Sequence, residues 1–301
     1  MKRPIIETKI LSVGDRIRPG LYTLHSRFNQ VVNLADGTRL VSVVHKEIGA
    51  GPLNVVVDNL SLDQIDRIKI GRRSIVLAQQ RYRFTGEHLY NSVIEVMGLN
   101  WDDFEKNRSL VKERLIGRSQ PRSLAFIFDK KRVSYFNSEF EKAFVKRMVD
   151  GVEQICAGKI ILGVKKLSGC GWGLTPSGDD FIAGLLLGLN VIQQARNKDL
   201  ARLITDIYEA SRGGNIFSET FLKLAKEGRA FERFKRLISA LTYGDEKQVK
   251  KSATELLSVG ATSGADLMTG FLITFELDLF NISEKSQLQF SGPHSSQPTV
   301  V

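Results

Sequence analysis

The spacing of hydrophobic residues changes near residue 137 and divides the chain into two parts. Before that point, short segments alternate or cluster β-branched residues, which is the pattern of β-strands. The pattern predicts strands at 22–25, 30–34, 39–45, 53–57 and 74–78. After that point, Phe140, Phe144, Met148 and Val152 recur every four residues, which predicts one apolar face of an α-helix.

Turn residues and helical stretches complete the first part. Asp36-Gly37 predicts a hairpin, and residues 124–128 and 133–136 flank a charged turn that predicts a second one. Helical stretches are expected at about 86–97 and at 101–115. The alternating Arg81-Tyr82-Arg83-Phe84 favours an amphipathic strand over a nucleic-acid-binding segment. We therefore expect residues 1–136 to form a β-rich barrel or sandwich-like domain with inserted helices.

Cap residues mark the helices of the second part. Ser138 and Glu141 predict a capping box, and Asp245 is a predicted N-cap. Glycines 228, 244 and 260 each follow an apolar turn and predict left-handed helix ends. We expect residues 137–280 to form a helical domain of roughly seven helices, followed by a flexible tail at 281–301 that is rich in Ser, Gln and Pro. The predicted fold class is thus α+β.

A ten-residue pattern occurs twice in the helical part, at 177–186 and at 263–272. Both copies have Ser-Gly-x-Asp, two apolar residues, a small residue, Gly and two more apolar residues. Each copy is typical of a helix start, and a helix N-terminus binds anions through its free N–H groups. We therefore predict one pocket, built from paired helix starts, that holds a phosphate or a carboxylate.

The first copy follows a glycine-rich loop, in which glycines occupy positions 169, 171 and 173. Gly171 and Gly173 suit a backbone that turns sharply or approaches a ligand closely. Either Thr175 or Ser177 is the helix cap. The N–H of Gly178 and the two hydroxyls are the expected ligand donors of the first copy. Those of the second copy are Ser263, Gly264 and Asp266. The alternative is a connection that lets helices pack closely, which Gly184 and Gly188 also favour.

Three carboxylates lie at these helix starts. Asp180 and Asp266 occupy equivalent places, where they are expected to complete capping boxes. Asp179 has no counterpart, because Ala265 stands there, and it is the better candidate for a general base or a Mg²⁺ ligand. Its alternative role is that of a solvated first-turn acid. Arg212 could clamp an anion bidentately or simply lie at the surface.

Composition restricts the partners. The chain has 42% hydrophobic and 25% charged residues, as in soluble globular proteins, and no apolar run long enough for a membrane. Two cysteines and no secretory signal indicate the cytoplasm. Residues 1–150 hold 26 Lys and Arg against 17 Asp and Glu, a net charge of +9, whereas residues 151–301 hold 17 against 16, a net charge of +1. This basic half favours a solvated surface first, and the alternative is an anionic partner, either nucleic acid or an acidic subunit.

The two motifs resemble those of a known bacterial family. Residues 173–184, Gly-Leu-Thr-Pro-Ser-Gly-Asp-Asp-Phe-Ile-Ala-Gly, and residues 260–270 are similar to the AllH-like family. That family is typified by a subunit of the oxamate carbamoyltransferase of anaerobic allantoin degradation. The resemblance covers most of 137–280. Relatives usually carry His where Ala261 stands here.

The resemblance implies a function in a multi-subunit transferase. It implies phosphorolysis of oxalurate to oxamate and carbamoyl phosphate, together with other subunits that include an acyl-CoA-synthetase-like chain. The loop at 169–178 would bind phosphate or carboxylate, and 263–266 would complete the pocket. Asp179 and Asp180 would be the catalytic acids, orienting the substrate or Mg²⁺. The alternatives are a non-catalytic phosphometabolite-binding or regulatory protein and, less favoured, a nucleic-acid-associated basic protein.

Overall fold

A computed structural model describes residues 9–277 of the chain. Nine strands come first along these residues and nine α-helices follow, so the predicted α+β class is confirmed. The strands are β1 (Lys9–Gly14), β2 (Gly20–Phe28), β3 (Val31–Ala35), β4 (Leu40–His45), β5 (Asn54–Asp58), β6 (Arg67–Ile70), β7 (Ser74–Leu77), β8 (Gln80–Arg83) and β9 (Leu89–Tyr90).

All nine strands belong to one curled sheet with the order β8-β7-β6-β2-β3-β4-β5-β1-β9. Neighbouring strands are antiparallel except for the pairs β4/β5 and β1/β9, which are parallel. Asp36-Gly37 joins β3 to β4 with Ala35 opposite Leu40, which confirms the first predicted hairpin. Apolar side chains from one face form a core of their own, with Tyr22, Val43 and Ile68 fully buried.

The helices form the rest of the described chain. They are α1 (Trp101–Arg118), α2 (Glu139–Cys156), α3 (Ile160–Leu167), α4 (Ser177–Ala195), α5 (Ala201–Ala210), α6 (Ile216–Lys226), α7 (Glu232–Tyr243), α8 (Glu246–Leu257) and α9 (Ser263–Thr274). Short 3-10 helices occupy Gly86–His88, Leu124–Ile127 and Lys130–Tyr135. None of the helices in residues 9–277 combines the length and the apolar character that crossing a membrane requires.

Two of the predicted elements are wrong. The helix predicted at 86–97 is only a 3-10 turn followed by β9, because the next residues bond to another segment: Ile94 N–H donates to Gly228 O and Ala230 N–H to Ser92 O. The second predicted hairpin consists of two 3-10 helices. Its aromatic residues Phe126 and Phe136 are buried in the helical core, which turns the backbone away from a strand pair.

The caps predicted outside the repeat agree with the structure, with one exception. Ser138 forms the capping box with Glu141, and Asp245 caps α8. Gly228 has a left-handed φ of +64° after α6. Gly244 does not, since its φ of −87° is extended and leads directly into Asp245 as the next N-cap. The glycine at that position therefore separates two helices without a left-handed turn.

The helical core is larger than the predicted helical domain. Buried residues from Ile94 onward, including Phe104 of α1 and Phe126, pack in the same cluster as the later helices. The predicted boundary between residues 136 and 137 stays a prediction. The predicted tail at 281–301 lies outside the described residues.

Candidate anion-binding site at a parallel helix pair

The two copies of the motif begin helices α4 and α9, which run side by side in the same direction. A Cβ atom on Gly184 would lie 1.9 Å from Leu267 O, and one on Gly270 would lie 1.9 Å from Phe181 O. These contacts are reciprocal, because Gly184 and Gly270, like Phe181 and Leu267, occupy equivalent places in the repeat. One turn further along both helices, a Cβ on Gly188 would lie 2.4 Å from Thr274 Oγ1, which shows that the helices run in the same direction. They are thus related by an approximate twofold axis, and both N-termini lie at the same end of the pair.

The repeat extends to the helices that come before. A Cβ on Gly178 would lie 1.9 Å from the carbonyl oxygen of Leu167 in α3, and one on Gly264 would lie 2.0 Å from that of Leu256 in α8. Gly178 N–H donates to Cys170 O at 2.8 Å, so it is already paired in this structure. The equivalent N–H of Gly264 donates to a carbonyl at 3.0 Å. The close-packing role of these glycines is therefore visible at both starts.

The predicted side-chain caps and capping boxes are wrong at both starts. Pro176 is the N-cap of α4 and Thr262 that of α9, and neither helix start has a side-chain cap. The serine hydroxyls instead face across the pair. The hydroxyl of Ser177 lowers the pKa of Asp266, and the hydroxyl of Ser263 lowers the pKa of Asp180. The motif thus builds a contact between its two copies, which the linear pattern of one copy does not indicate.

The glycine-rich loop supplies the unpaired backbone donors. Glycines 169, 171 and 173 have φ values of +67°, +124° and +94°, which a side chain would strain. Within residues 9–277, the N–H groups of residues 171–175 have no acceptor. These residues are half-buried or exposed, so a ligand can reach them. Successive N–H groups in such a turn form a concave anion site. This loop, more than the helix start itself, offers free donors.

The pKa values of Asp180 and Asp266 are raised. Asp266 is fully buried, and loss of hydration raises its pKa to about 7, although Leu124 N–H donates to its Oδ1 at 2.7 Å. Its Oδ2 has no hydrogen bond of ordinary length within the described residues. Asp180 is half-buried, and desolvation and then the nearby Asp266 charge raise its pKa well above its usual value. The hydroxyl of Thr175 lies 3.2 Å from Asp180 Oδ2 and opposes that rise.

Asp179 differs from the other two acids in its contacts. It is only 3% exposed, and its Oδ1 accepts a hydrogen bond of 2.8 Å from Gly169 N–H. Its Oδ2 is buried and has no partner among residues 9–277. No group of three or more His, Cys, Asp or Glu side chains in this range has the arrangement of a metal site. The role of Asp179 as a Mg²⁺ ligand stays a prediction.

A second loop lies against the glycine-rich loop. The side-chain amide of Asn215 caps α6 and also donates to Leu174 O at 2.8 Å. Arg212 lies at the surface of this second loop and pairs with Glu209 at 2.9 Å. Ser218, one turn into α6, is buried with an unpartnered hydroxyl. Arg212 was a candidate from the sequence, but Ser218 was not, because an isolated serine inside a helix carries no signal by itself.

Exposed aromatic residues border the loop. Trp172 is 50% exposed, and its ring centroid lies 4.9 Å from that of Phe144 and 5.7 Å from that of Phe140, which is itself 69% exposed. Burial raises the pKa of the neighbouring Cys170 thiol, which fits a packing role for that residue. Two concave surfaces lie away from this loop, one near the C-terminal ends of α4 and α9 and one between α7 and α8.

The helix pair and its loops lie within the range of one sequence family. Residues 167–275 match the model of a family described as oxamate carbamoyltransferase subunit AllH. The predicted resemblance is thereby confirmed. The matched range runs from the end of α3 to the residue after α9, so it includes both helix starts, the glycine-rich loop and Asn215. A search of the solved structures found no match for the chain.

Proposed function

We propose that this chain is a subunit of a carbamoyltransferase-type enzyme and binds a small anion such as oxamate or carbamoyl phosphate. The observation that carries the proposal is the run of unpaired N–H groups at 171–175, inside the range that matches the AllH family. Phosphate or carboxylate oxygens accept hydrogen bonds from such groups. The parallel starts of α4 and α9 add a favourable field of about 0.3–1 kcal/mol per helix.

The raised pKa values explain how an anion can lie beside aspartates. A carboxylate would repel phosphate, but a protonated carboxyl group is neutral and donates a hydrogen bond. With a pKa of about 7, Asp266 is protonated in about half of the molecules at neutral pH. The pKa of Asp180 is shifted in the same direction. We infer that these two acids reduce the negative charge of the site rather than oppose the ligand.

The proposed reaction exchanges a carbamoyl group between phosphate and the nitrogen of oxamate. The loop N–H groups would hold the phosphoryl or carboxylate oxygens and stabilise the charge that develops on them. Asp180 is half-buried beside the loop, so it is the better placed of the two acids to move a proton to or from the oxamate nitrogen. Asp266, fully buried, would position the second helix start.

Other subunits form part of this proposal. The family's description names a subunit, and Trp172 and Phe140 expose aromatic surface beside the loop. Exposed aromatic residues are typical of protein interfaces. We propose that an acyl-CoA-synthetase-like chain is among the partners and that the complex works in the cytoplasm, where the free thiols of Cys156 and Cys170 would stay reduced.

A titration of the full-length chain tests the binding site. Inorganic phosphate, carbamoyl phosphate and oxamate are added while tryptophan emission is recorded, to which Trp172 of the loop and Trp101 of α1 contribute. Gly173→Ala should weaken anion binding about fivefold or more, because a φ of +94° disfavours a side chain and the loop N–H groups would turn. Gly37→Ala is the matched control: Gly37 has a φ of +93° but lies in the β3–β4 turn. Equal effects of both variants on binding would contradict the proposal.

Turnover is tested with the partner subunits present. The chain is co-expressed with the genes that neighbour its own, and carbamoyl phosphate and oxamate are supplied. We expect oxalurate and inorganic phosphate as products. Binding without turnover in every combination would favour a regulatory phosphometabolite-binding protein. Absence of any anion binding would overturn the proposal.

A further inference from the structure

Two buried oxygen atoms next to the glycine-rich loop have no partner within the described residues. They are Oδ2 of Asp179 and Oγ of Ser218, in residues that are 3% and 1% exposed. Buried polar atoms are nearly always hydrogen-bonded, because an unpaired one loses its hydration without compensation. Two such atoms in one place therefore point to a function that outweighs their effect on stability.

Both atoms lie around the same point beside Gly214. A Cβ atom built on Gly214 would lie 3.5 Å from Ser218 Oγ and 3.6 Å from Asp179 Oδ2. The two oxygens thus lie at nearly equal distances from the Cβ position of Gly214. Asp179 comes from the start of α4, and Ser218 from the first turn of α6, so the N-terminus of a third helix contributes to this place.

The chemistry of the two atoms defines what they can bind. A carboxylate oxygen only accepts hydrogen bonds, whereas a hydroxyl group both donates and accepts them. A primary amide presents the complementary set: its N–H donates to the carboxylate and its carbonyl oxygen accepts from the hydroxyl. A phosphate or a second carboxylate would instead be repelled by Asp179. The pair therefore selects for an amide.

We propose that Asp179 and Ser218 form a subsite for the primary amide end of the substrate, while the anionic end binds the N–H groups of the glycine-rich loop. The proposal rests on the proposed function and assigns these residues to one part of the substrate. The subsite and the glycine-rich loop lie close to each other in the structure. Gly169 N–H donates to Asp179, and Asn215 donates to Leu174 O, so the loop contacts both sides of the subsite.

Residues 212–214 cover the subsite. All three are exposed, and Gly213 has a φ of +107° with no atom within 4 Å of its Cβ position. Backbone with so few packing contacts opens at a lower free energy than the helices on either side. The amide end of the substrate would enter when this segment moves, and the segment would then close over it and exclude water.

A comparison of two ligands of equal charge tests the subsite. Oxamate carries an amino group where pyruvate carries a methyl group, and the two are otherwise alike. Isothermal titration of the full-length chain, alone and assembled with its co-purifying subunits, should give an affinity for oxamate about tenfold to a hundredfold higher than for pyruvate. Asp179→Asn and Ser218→Ala should each bring this ratio close to one. Asp206→Asn, an exposed aspartate in α5, is the matched control and should leave the ratio unchanged.

Measurements of stability and of phosphate affinity distinguish a binding role of Asp179 and Ser218 from a structural role. Ser218→Ala removes an unpartnered hydroxyl, so it should not lower the denaturant midpoint. Inorganic phosphate lacks the amide, so its affinity should stay within about twofold in Ser218→Ala, which changes no charge near the loop. A ratio near one in the wild-type chain, or a ratio that survives both variants, would overturn the subsite while the loop site remains. Absence of both phosphate and oxamate binding in the wild type would overturn the proposed function as well.

Gly214→Ala provides a second, steric test. Gly214 does not have a positive φ, so its backbone accepts alanine. The added methyl group would lie 3.0 Å from Ser218 Cβ, 3.5 Å from Ser218 Oγ and 3.6 Å from Asp179 Oδ2. Oxamate affinity should fall about tenfold while phosphate affinity stays the same. An unchanged oxamate affinity in this variant would place the amide elsewhere.

Discussion

At the residue scale, Asp266 makes the stability of the protein depend on pH. Its pKa of about 7 in the folded chain is above the value of 3.8 expected when unfolded, so the folded state holds the proton more tightly. The protonated carboxyl group of Asp266 therefore adds its full stabilisation to the folded state below pH 4. The free energy of unfolding falls as the pH rises from about 4 to 7. Asp266→Asn cannot ionise and keeps an acceptor for Leu124 N–H, so it should remove this loss.

Urea unfolding at pH 5 and pH 8 measures the effect. Between these pH values the free energy of unfolding should fall by about 3 kcal/mol more in the wild type than in Asp266→Asn, because each pKa unit corresponds to about 1.4 kcal/mol. Asp103→Asn is the control, since Asp103 is also a first-turn acid but is exposed. A variant that is less stable than the wild type at pH 8 would show that the charged carboxylate is needed for folding.

The same scale shows what the sequence could predict about the site. The alignment of the two motifs identified Asp179 as unmatched, and the structure gives it contacts that Asp180 and Asp266 lack. The caps were predicted wrongly because a capping box is a local pattern, whereas Ser177 and Ser263 each face the other copy. A contact between residues about 90 positions apart has no local signal.

At the element scale, the crossing of α4 and α9 depends on two glycines. A Cβ at Gly184 or Gly270 would lie 1.9 Å from a backbone oxygen, which cannot move away as a side chain can. We expect Gly184→Ala and Gly270→Ala each to lower the free energy of unfolding by about 3 kcal/mol or more. Thermal or urea unfolding followed by circular dichroism would measure it.

An exposed glycine in another helix is the matched control. Gly117 lies in α1 with no atom within 4 Å of its Cβ position, so Gly117→Ala should stabilise the chain by about 0.5–1 kcal/mol. The opposite signs would separate close packing from helix propensity. A loss below about 1 kcal/mol at both Gly184 and Gly270 would show that the helices can move apart without penalty.

The elements themselves were predictable where their pattern was regular. The alternation of apolar residues located β2 to β5, and the period of four located α2. The same pattern predicted a hairpin wrongly at 124–136, because the apolar residues of this segment are buried by neighbouring helices and not by a partner strand. Apolar spacing over four or five residues does not distinguish these two environments.

At the scale of the whole molecule, a charged cluster joins the sheet to the helices. Arg229 pairs with Asp15 at 2.7 Å and lies 3.5 Å from Glu227, which also pairs with Arg16 at 2.8 Å. Ser92 donates to Asp15 at 2.7 Å. Because these groups are about three-quarters buried, Asp15→Ala removes the closer of the two carboxylates that pair with Arg229 and also the acceptor of Ser92. It should lower stability by about 1–3 kcal/mol.

Hydrogen exchange can show where that loss occurs. The amides of β1 and β9 should exchange faster in Asp15→Ala, while those of α4 and α9 stay protected. Asp63→Ala, an exposed change in the connection between β5 and β6, is the control. Uniform acceleration throughout the chain would mean that the sheet and the helices unfold as one unit.

Because α4 and α9 are parallel, the positive ends of their helix dipoles lie side by side. Antiparallel helices nearly cancel each other's dipoles, but two parallel ones add about half an elementary charge each, so roughly one positive charge exists at the common start. This charge belongs to the peptide backbone, so no side-chain substitution and no change of pH can remove it. The three aspartates around it are therefore the adjustable part, and their protonation sets whether that end of the molecule attracts or repels an incoming anion.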